Sequence, residues 1–129
     1  MIVLDASAAV ELLLATGRGE IVRRRIIDSD ATLHAPHLLD VEVAQVLRRL
    51  LRVGALGRER AAEAITDLVE YPLTRYPHDV LLPRVWVLRG AITASDAVYV
   101  ALAEVLGAPL LTFERRLAAV SGHRARVES

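Results

Sequence analysis

The sequence predicts an α/β fold in which helices cover a parallel sheet. Short apolar segments such as Ile2–Leu4 alternate along the chain with longer segments whose apolar residues recur at helical spacing. The 129 residues fit one domain, so we treat residues 1–129 as a single domain. The hydrophobic fraction of 53% includes one Trp, one Phe and three Tyr, so Ala, Val and Leu supply most of it. That composition is typical of a helix-rich α/β domain.

The first half of the chain contains the following predicted elements: a buried strand at residues 2–4, helices at 6–14 and 20–27, a weak strand at 32–35 and a long helix at 36–52. Asp5 or Ser7 can cap the first helix, and the glycines at 17 and 19 end it. Pro36 is expected to open the long helix and Gly54 to close it.

The second half contains a helix at 58–70, an extended segment at 73–76, a helix at about 77–88, a helix at 93–106, a strand at 110–112, a short helix at 114–120 and a last weak strand at 124–127. The helix at 93–106 has the clearest signals, because a cap residue precedes it and Gly107 and Pro109 follow it. In parallel sheets the active site lies outside the carboxyl ends of the strands. Polar residues at strand ends are therefore the first candidates for function.

Composition excludes several classes of protein. The 16 basic and 16 acidic residues cancel, which argues against a protein that coats DNA without sequence preference. All the basic residues are Arg; genomic codon bias explains this, although Arg forks also suit phosphate. The absence of Cys excludes disulfides, thiolate nucleophiles and Cys-ligated zinc. Neither a signal peptide nor a membrane span is expected, which favours a cytoplasmic location.

Four acids lie near predicted helix starts. Asp5 directly follows the first strand, and Glu114 follows the strand at 110–112. Glu42 borders the apolar stripe of the long helix, and Asp96 ends the segment Thr93-Ala-Ser-Asp96. The strands that precede these residues end at the same edge of a parallel sheet. We therefore expect the four carboxylates to converge.

Each acid also has a purely structural interpretation. Asp5 can be an N-cap, and Asp96 fits a capping box. Glu114 suits a first helical turn, where the helix dipole favours negative charge. Asp40 fits that dipole role better than Glu42 and is expected to be solvated. Taken alone, none of the four identifies a catalytic site.

Converging carboxylates repel one another, and a divalent cation relieves that cost. Oxygen ligands of this kind are preferred by Mg²⁺ and Mn²⁺. Such an ion lowers the pKa of a bound water and stabilises charge on a phosphate. The acids together therefore predict metal-dependent hydrolysis of a phosphodiester.

These segments resemble the motifs of PIN domains. Leu4-Asp5-Ala6-Ser7-Ala8 resembles the N-terminal motif, and Val41-Glu42-Val43-Ala44 followed by Leu47-Arg48-Arg49 resembles the second. The most specific match is Thr93-Ala-Ser-Asp96-Ala-Val-Tyr99-Val-Ala-Leu-Ala103, which is similar to the third motif. The fourth corresponds to Leu110-Leu-Thr112-Phe-Glu114-Arg-Arg-Leu117. The resemblance extends from Ile2 to about Val127, and the compact length resembles VapC-type toxins.

The resemblance implies a three-layer fold with an about five-stranded parallel sheet between helices. It implies an Mg²⁺ site, with Mn²⁺ as the alternative ion, made by Asp5, Glu42 and Asp96 with a contribution from Glu114, and Ser7 and Thr112 are the supporting residues. It also implies RNA cleavage that leaves a 3′-hydroxyl and a 5′-phosphate, a homodimer, and a VapB-like antitoxin whose tail blocks the site. The family commonly has Asp where this chain has Glu114, whose longer arm can reach a metal directly or through water.

Two other functions are compatible with parts of the pattern. A phosphotransfer enzyme or receiver domain would use Asp5 as phosphoryl acceptor. Dehalogenase-like phosphatases, however, have a second Asp at position 7, where this chain has Ser7, and the expected Lys is missing. A catalytically inactive PIN-fold module that binds RNA or protein is the second alternative. RNA binding without cleavage would distinguish it from a nuclease.

The remaining polar and aromatic residues carry weaker expectations. No metal-ligand spacing relates the four histidines, which are His34, His37, His78 and His123. Three arginine groups are candidates for an RNA-binding rim, namely residues 23–25, residues 48, 49 and 52, and residues 115–116. Five residues in helices rich in Ala, Val and Leu are expected in the core: Trp86, Val98, Tyr99, Val105 and Leu106.

Overall fold

The computed structural model describes residues 1–119, 123 and 125–128. Its sheet has five parallel strands in the order β3-β2-β1-β4-β5, which are Leu73–Tyr76, Leu33–Pro36, Ile2–Leu4, Leu110–Leu111 and Val127–Glu128. The helices are α1 Ala6–Leu13, α2 Gly17–Ser29, α3 Leu38–Arg52, α4 Arg58–Glu70, α5 Leu82–Val87, α6 Ala94–Leu106 and α7 Arg116–Ala119, with a 3₁₀ turn at Leu88–Gly90. The predicted α/β class and five-stranded parallel sheet are confirmed.

The central strand β1 is covered by apolar side chains on both faces. Val3 belongs to the larger core cluster, which includes every residue of α6 from Ala97 to Ala103. Ile2 and Leu4 point to the opposite face and pack in a second cluster with Val22 of α2. The strand therefore lies between helices on both sides, as a parallel sheet requires. Within the described residues, no helix is both long and apolar enough to cross a membrane.

Two element starts differ from the sequence prediction. Helix α2 begins at Gly17 rather than residue 20, because the Thr16 hydroxyl accepts a hydrogen bond from the Gly19 N–H and caps it. A Cβ at Gly19 would lie 2.0 Å from the Glu11 carbonyl oxygen, so this glycine serves helix packing. Pro36 ends β2 instead of opening α3, which begins at Leu38.

The second half shows smaller differences. Helix α5 begins at Leu82 rather than near residue 77, with a proline in its first turn. Helix α7 begins at Arg116 rather than at residue 114, and β5 is Val127–Glu128 rather than residues 124–127. The end predicted for that helix at residue 120 and the start of that strand at residue 124 lie outside the described residues.

Of the five residues predicted to lie in the core, three are buried or partly buried and two are exposed. Tyr99 and Val98 are buried in α6, as predicted, and Leu106 is partly buried. Trp86 and Val105 are 68% and 70% exposed, so the prediction that they belong to the core is wrong. Apolar composition alone does not determine which face of a helix is covered by the sheet.

Candidate active site

The four predicted acids line one cleft at the carboxyl ends of the strands. Asp5 follows β1, Glu42 lies in the second turn of α3, Asp96 lies in the first turn of α6, and Glu114 follows β4. The cleft has a volume of about 410 Å³, and Ser7 also lines it. The fold thus brings together acids that are up to 109 residues apart in the sequence, from position 5 to position 114.

Asp5 is fixed by donors from its own chain. Its side chain caps α1, with Oδ1 accepting the Ala8 N–H at 3.0 Å and the Ser7 hydroxyl at 2.7 Å. Its other oxygen, Oδ2, accepts the Thr112 hydroxyl. The capping role and a place in the cleft are therefore compatible, because the same carboxylate does both. Asp5 is only 6% exposed.

Burial is the main influence on the protonation of Asp5. It raises the pKa of this carboxyl, while the hydrogen bonds from Ser7, Thr112 and Ala8 lower it and the charge of Glu114 raises it. The net direction is upward. The carboxylate is thus well supplied with donors but poorly supplied with positive charge.

The hydroxyl groups of Ser7, in α1, and Thr112, after β4, connect the Asp5 carboxylate to the backbone that follows β4. The Ser7 oxygen accepts the Phe113 N–H at 2.9 Å, and the Thr112 oxygen accepts the Glu114 N–H at 2.9 Å. Each hydroxyl then has its proton free to donate to Asp5. The backbone after β4 therefore sets the orientation of both hydroxyls and, through them, of the Asp5 carboxylate.

Glu42 is held by a residue that the sequence analysis assigned only to the core. The Tyr99 hydroxyl donates to Glu42 Oε1 at 2.5 Å, and Tyr99 itself is 2% exposed. Burial raises the pKa of Glu42; the Tyr99 hydrogen bond lowers it, and the charges of Asp5 and Asp96 raise it. Burial and the neighbouring Glu42 also raise the pKa of Tyr99, which keeps its proton as the donor.

One sequence signal could have identified Tyr99. It lies three residues after Asp96 on α6, so both side chains lie on the same face of the helix. A buried Tyr hydroxyl also needs a hydrogen-bond partner. The partner, Glu42, is 57 residues away in the sequence, and only the packing of α3 near α6 brings it within reach.

Asp96 and Glu114 share an arginine. Arg116 Nη2 lies 3.1 Å from Asp96 Oδ2, and Arg116 Nε lies 3.7 Å from Glu114 Oε2. The Thr93 hydroxyl accepts the Asp96 N–H at 3.2 Å, so the capping interpretation of this segment also holds. Asp40, by contrast, is absent from the residues that line the cleft and pairs with Arg75 at 2.8 Å.

The donor set of the cleft fits a hard divalent cation. Carboxylate oxygens dominate it, and the charges of Asp5 and Asp96 both raise the pKa of Glu42. Among the described residues, no three acids or histidines are already at metal-ligand spacing. The Arg116 guanidinium instead supplies positive charge next to Asp96 and Glu114. A metal ligated by these acids would therefore have to replace Arg116 as the source of positive charge.

Only some of the other sequence candidates lie in the cleft. Arg49 and Arg116 line the cleft. The group at residues 23–25 is paired elsewhere, with Glu20 and Glu128.

His34 bonds through its ring nitrogens to Thr32 and Tyr76. His78 accepts the Leu38 N–H at 3.0 Å and thereby supports the start of the Glu42 helix.

Comparisons with known proteins agree with this architecture. The PIN domain model matches residues 2–123. A curated relative, Ribonuclease VapC12 of Mycobacterium tuberculosis, is 41% identical over 128 residues, which cover 99% of this chain and 98% of the relative. The solved structure of PAE2754 from Pyrobaculum aerophilum has a TM-score of 0.73 at 23% identity, covering 98% of this chain and 81% of that one.

A third comparison involves a toxin–antitoxin complex. The structure of VapBC2 from Rickettsia felis, bound to a DNA fragment from its promoter, contains a chain that matches with a TM-score of 0.72 at 13% identity. The match covers 99% of this chain and 98% of that one. At this identity the likeness shows the fold alone.

Fold and sequence together define the class: the chain belongs to the PIN domain family. Its near full-length relatedness to VapC12 places it, within that family, among the VapC proteins. The resemblance drawn from the four motifs is thereby confirmed.

Proposed function

We propose that this chain is a divalent-metal-dependent endoribonuclease and the toxin of a toxin–antitoxin pair. One observation carries the proposal: Asp5, Glu42, Asp96 and Glu114 line a single cleft at the carboxyl ends of the strands. The name of VapC12, a ribonuclease, supports RNA as the substrate. Because the cleft also contains Arg49, it offers positive charge for a phosphate backbone next to the acids.

Asp5, Glu42 and Asp96 would hold Mg²⁺ or Mn²⁺, with Glu114 contributing directly or through water. When bound, such an ion lowers the pKa of a water molecule and stabilises negative charge on the phosphate. Ser7 and Thr112 keep the Asp5 carboxylate in one orientation, and Tyr99 does the same for Glu42. Arg49 orients the RNA phosphate. Water attacks phosphorus and loses a proton, the bond between phosphorus and the 3′-oxygen breaks, and that oxygen takes up a proton, which leaves a 3′-hydroxyl and a 5′-phosphate.

A VapB-like antitoxin is the proposed protein partner, acting on a cytoplasmic homodimer. The match to a chain of the VapBC2 complex supports it. So does a mostly apolar groove of about 470 Å³ along α3 and α4, lined by Leu47, Leu51 and Ile65 and flanked by Arg48 and Arg58. An amphipathic helix with acidic edges fits such a groove.

The proposal is tested by incubating the partner-free protein with total cellular RNA, with Mg²⁺, with Mn²⁺ and with EDTA. We expect discrete fragments with 5′-phosphate ends in the presence of either metal and none with EDTA. The Asp96→Ala variant, prepared identically, should give none and excludes a contaminating nuclease. RNA binding by the folded protein without cleavage under all conditions would overturn the proposal in favour of a binding module.

Helix α3 provides a matched control. Glu42→Gln and Asp40→Asn each remove one negative charge, and the two positions are two residues apart. Only Glu42 lines the cleft, whereas Asp40 pairs with Arg75. We expect Glu42→Gln to lose cleavage and Asp40→Asn to retain most of it. Equal losses would mean that the cleft acids have been assigned wrongly on this helix.

A further inference from the structure

A second depression adjoins the acidic cleft on the side of α6. It has a volume of about 380 Å³ and shares Thr93, Asp96 and Arg116 with the cleft. The 3₁₀ turn and the loop after it, residues 89–92, form its outer wall. A strand of nucleic acid that enters the cleft on this side would therefore cross the depression first.

Arg89 on the outer wall is a cation in a fixed position. Its Nη1 donates to the Trp86 carbonyl oxygen at 2.7 Å, and its guanidinium lies 4.6 Å from the centroid of the Trp86 ring. None of the ion pairs among the described residues includes Arg89. Arg84, on the preceding helix, is instead paired with Glu104. The positive charge of Arg89 thus remains available for an anion.

Trp86 beneath it is the single tryptophan of the chain and is 68% exposed. Leaving a large ring in water forgoes the free energy gained by burying it. Exposed aromatic rings and Arg planes beside a basic groove are the surfaces on which unpaired bases stack. The pair therefore offers both kinds of contact that a single-stranded nucleic acid uses, one for phosphate and one for a base.

We propose that Arg89 and Trp86 form a binding subsite for a nucleotide of single-stranded RNA that flanks the scissile phosphate. Arg89 contacts a backbone phosphate in the depression, and the neighbouring base stacks on Trp86. This inference rests on the proposed function and names the path of the substrate outside the cleft. The negative charge of Asp96 in the shared wall does not prevent it, because Arg116 pairs with that carboxylate at 3.1 Å.

An RNA strand fits this surface better than a second protein chain does. The depression is continuous with the cleft, and its two arginines, Arg89 and Arg116, flank the route to the acids. A protein interface would gain from the exposed Leu82 and Val87 nearby, which are 53% and 64% exposed, but would need an acidic group for Arg89. Docking of a second copy is therefore the competing outcome that the experiment must separate.

The test uses RNA binding in EDTA, so that cleavage plays no part. The probe is a fluorescein-labelled single-stranded RNA of mixed sequence, long enough to extend several nucleotides beyond the cleft. Because the chain has one Trp, quenching of the intrinsic fluorescence by unlabelled RNA reports directly on Trp86. We expect quenching that saturates together with the polarisation signal of the labelled probe.

The RNA affinity is compared among the parent protein, three variants and one control variant. Trp86→Ala should weaken binding about 5- to 150-fold, the range of one lost base stack, and Trp86→Phe should restore part of it. Arg89→Ala should also weaken binding and lower the slope of log affinity against log salt by about 0.7, as one lost phosphate contact does. Arg18→Ala is the matched control: its guanidinium also lies on an aromatic ring, 4.8 Å from the Phe113 centroid, but it lines neither the cleft nor the depression and should change binding little.

The outcomes separate the subsite from the proposed function. Quenching and weakened binding by the variants would support the subsite even if no RNA were cleaved. Cleavage by the parent protein together with unchanged binding by Trp86→Ala and Arg89→Ala would overturn the subsite alone. If these variants bound RNA as the parent protein does but shifted from dimer to monomer in sedimentation velocity, the surface would be a protein interface. That result would also overturn the subsite.

Discussion

The two sides of the acidic cleft hold their carboxylates in different ways. On one side, Asp5 is 6% exposed and bonded to two hydroxyls and one backbone N–H of its own chain. On the other side, Asp96 and Glu114 share the guanidinium of Arg116, whose side chain is 65% exposed. The first arrangement uses neutral donors in the interior, and the second uses a charged partner at the surface.

This difference indicates how a cation would enter the site. Neutral donors orient Asp5 but leave its negative charge uncompensated, so a metal in the proposed site would not have to compete with another cation there. Arg116 compensates part of the negative charge of Asp96 and Glu114, and a metal ligated by them would compete with it. In the proposed metal site, the Asp5 side would therefore keep its hydrogen bonds when the ion binds, whereas the Asp96 side would exchange Arg116 for the ion.

The largest effect is expected for Asp5→Asn. Asn keeps the shape and the capping oxygen of Asp but loses the charge that would bind the metal. We expect kcat/KM for RNA cleavage in Mn²⁺ to fall about 10³-fold or more, since metal stabilisation of the transition state contributes several kcal/mol. Circular dichroism should show an unchanged fold. Retained cleavage by the folded variant would exclude Asp5 as a metal ligand.

The next largest effect is expected for Thr112→Val, which removes the hydroxyl that donates to Asp5 but preserves the shape of the side chain. Partners that orient a metal ligand commonly contribute 10- to 100-fold to affinity or activity, and we expect a loss of about that size in Mn²⁺ affinity. Thr112→Ser keeps the hydroxyl and serves as the matched control. Isothermal titration with Mn²⁺ measures both. Equal affinities for Val and Ser would show that Asp5 does not depend on this donor.

The predictability of the two sides also differs. Asp5 and Glu114 could be assigned to the site because a short apolar strand precedes each of them, and the carboxyl ends of parallel strands lie at one edge of the sheet. Local signals of this kind, together with the resemblance of the four motifs, predicted the sheet and the four acids of the cleft. The metal roles proposed for these acids remain predictions.

Contacts between distant elements could not be predicted in the same way. The Tyr99–Glu42 hydrogen bond depends on the rotation of α6 relative to α3, which no local pattern specifies. The pairing of Arg116 with Asp96 depends on how the chain turns after β4. Trp86 is exposed because α5 directs Val85, and not Trp86, into the core. In each case the residue types were visible in the sequence, but their partners were not.

A smaller effect concerns stability without metal. The folded protein raises the pKa of Asp5 above 3.8, so it binds a proton more readily than the unfolded chain does. Stability must therefore fall as the pH rises from about 3.8 through the raised pKa, and the full cost remains at neutral pH. Asp5→Asn removes this cost. We expect the metal-free variant to have a higher Tm than the parent protein at pH 7.

This Tm advantage should shrink as the pH is lowered towards 3.8, where both proteins have a neutral group at position 5. Mn²⁺ at pH 7 should raise the Tm of the parent protein and reverse the order. Differential scanning calorimetry across this range measures the effect. A lower Tm for the metal-free Asn variant at pH 7 would mean that hydrogen bonding to the carboxylate outweighs the cost of burying it.

The smallest effect is expected for Arg116→Ala, which tests whether the guanidinium competes with the metal on the Asp96 side. Exposed ion pairs contribute about 0.2–1 kcal/mol, so removing this one should tighten Mn²⁺ binding by about 1.4- to 5-fold. Arg115→Ala removes the same charge one residue away and is the control, since Arg115 does not line the cleft. Titration in the absence of RNA separates this effect from any contact of Arg116 with substrate. If both variants tightened Mn²⁺ binding equally, only the general loss of positive charge would be responsible, and the two sides of the cleft would bind the metal without a change of partner.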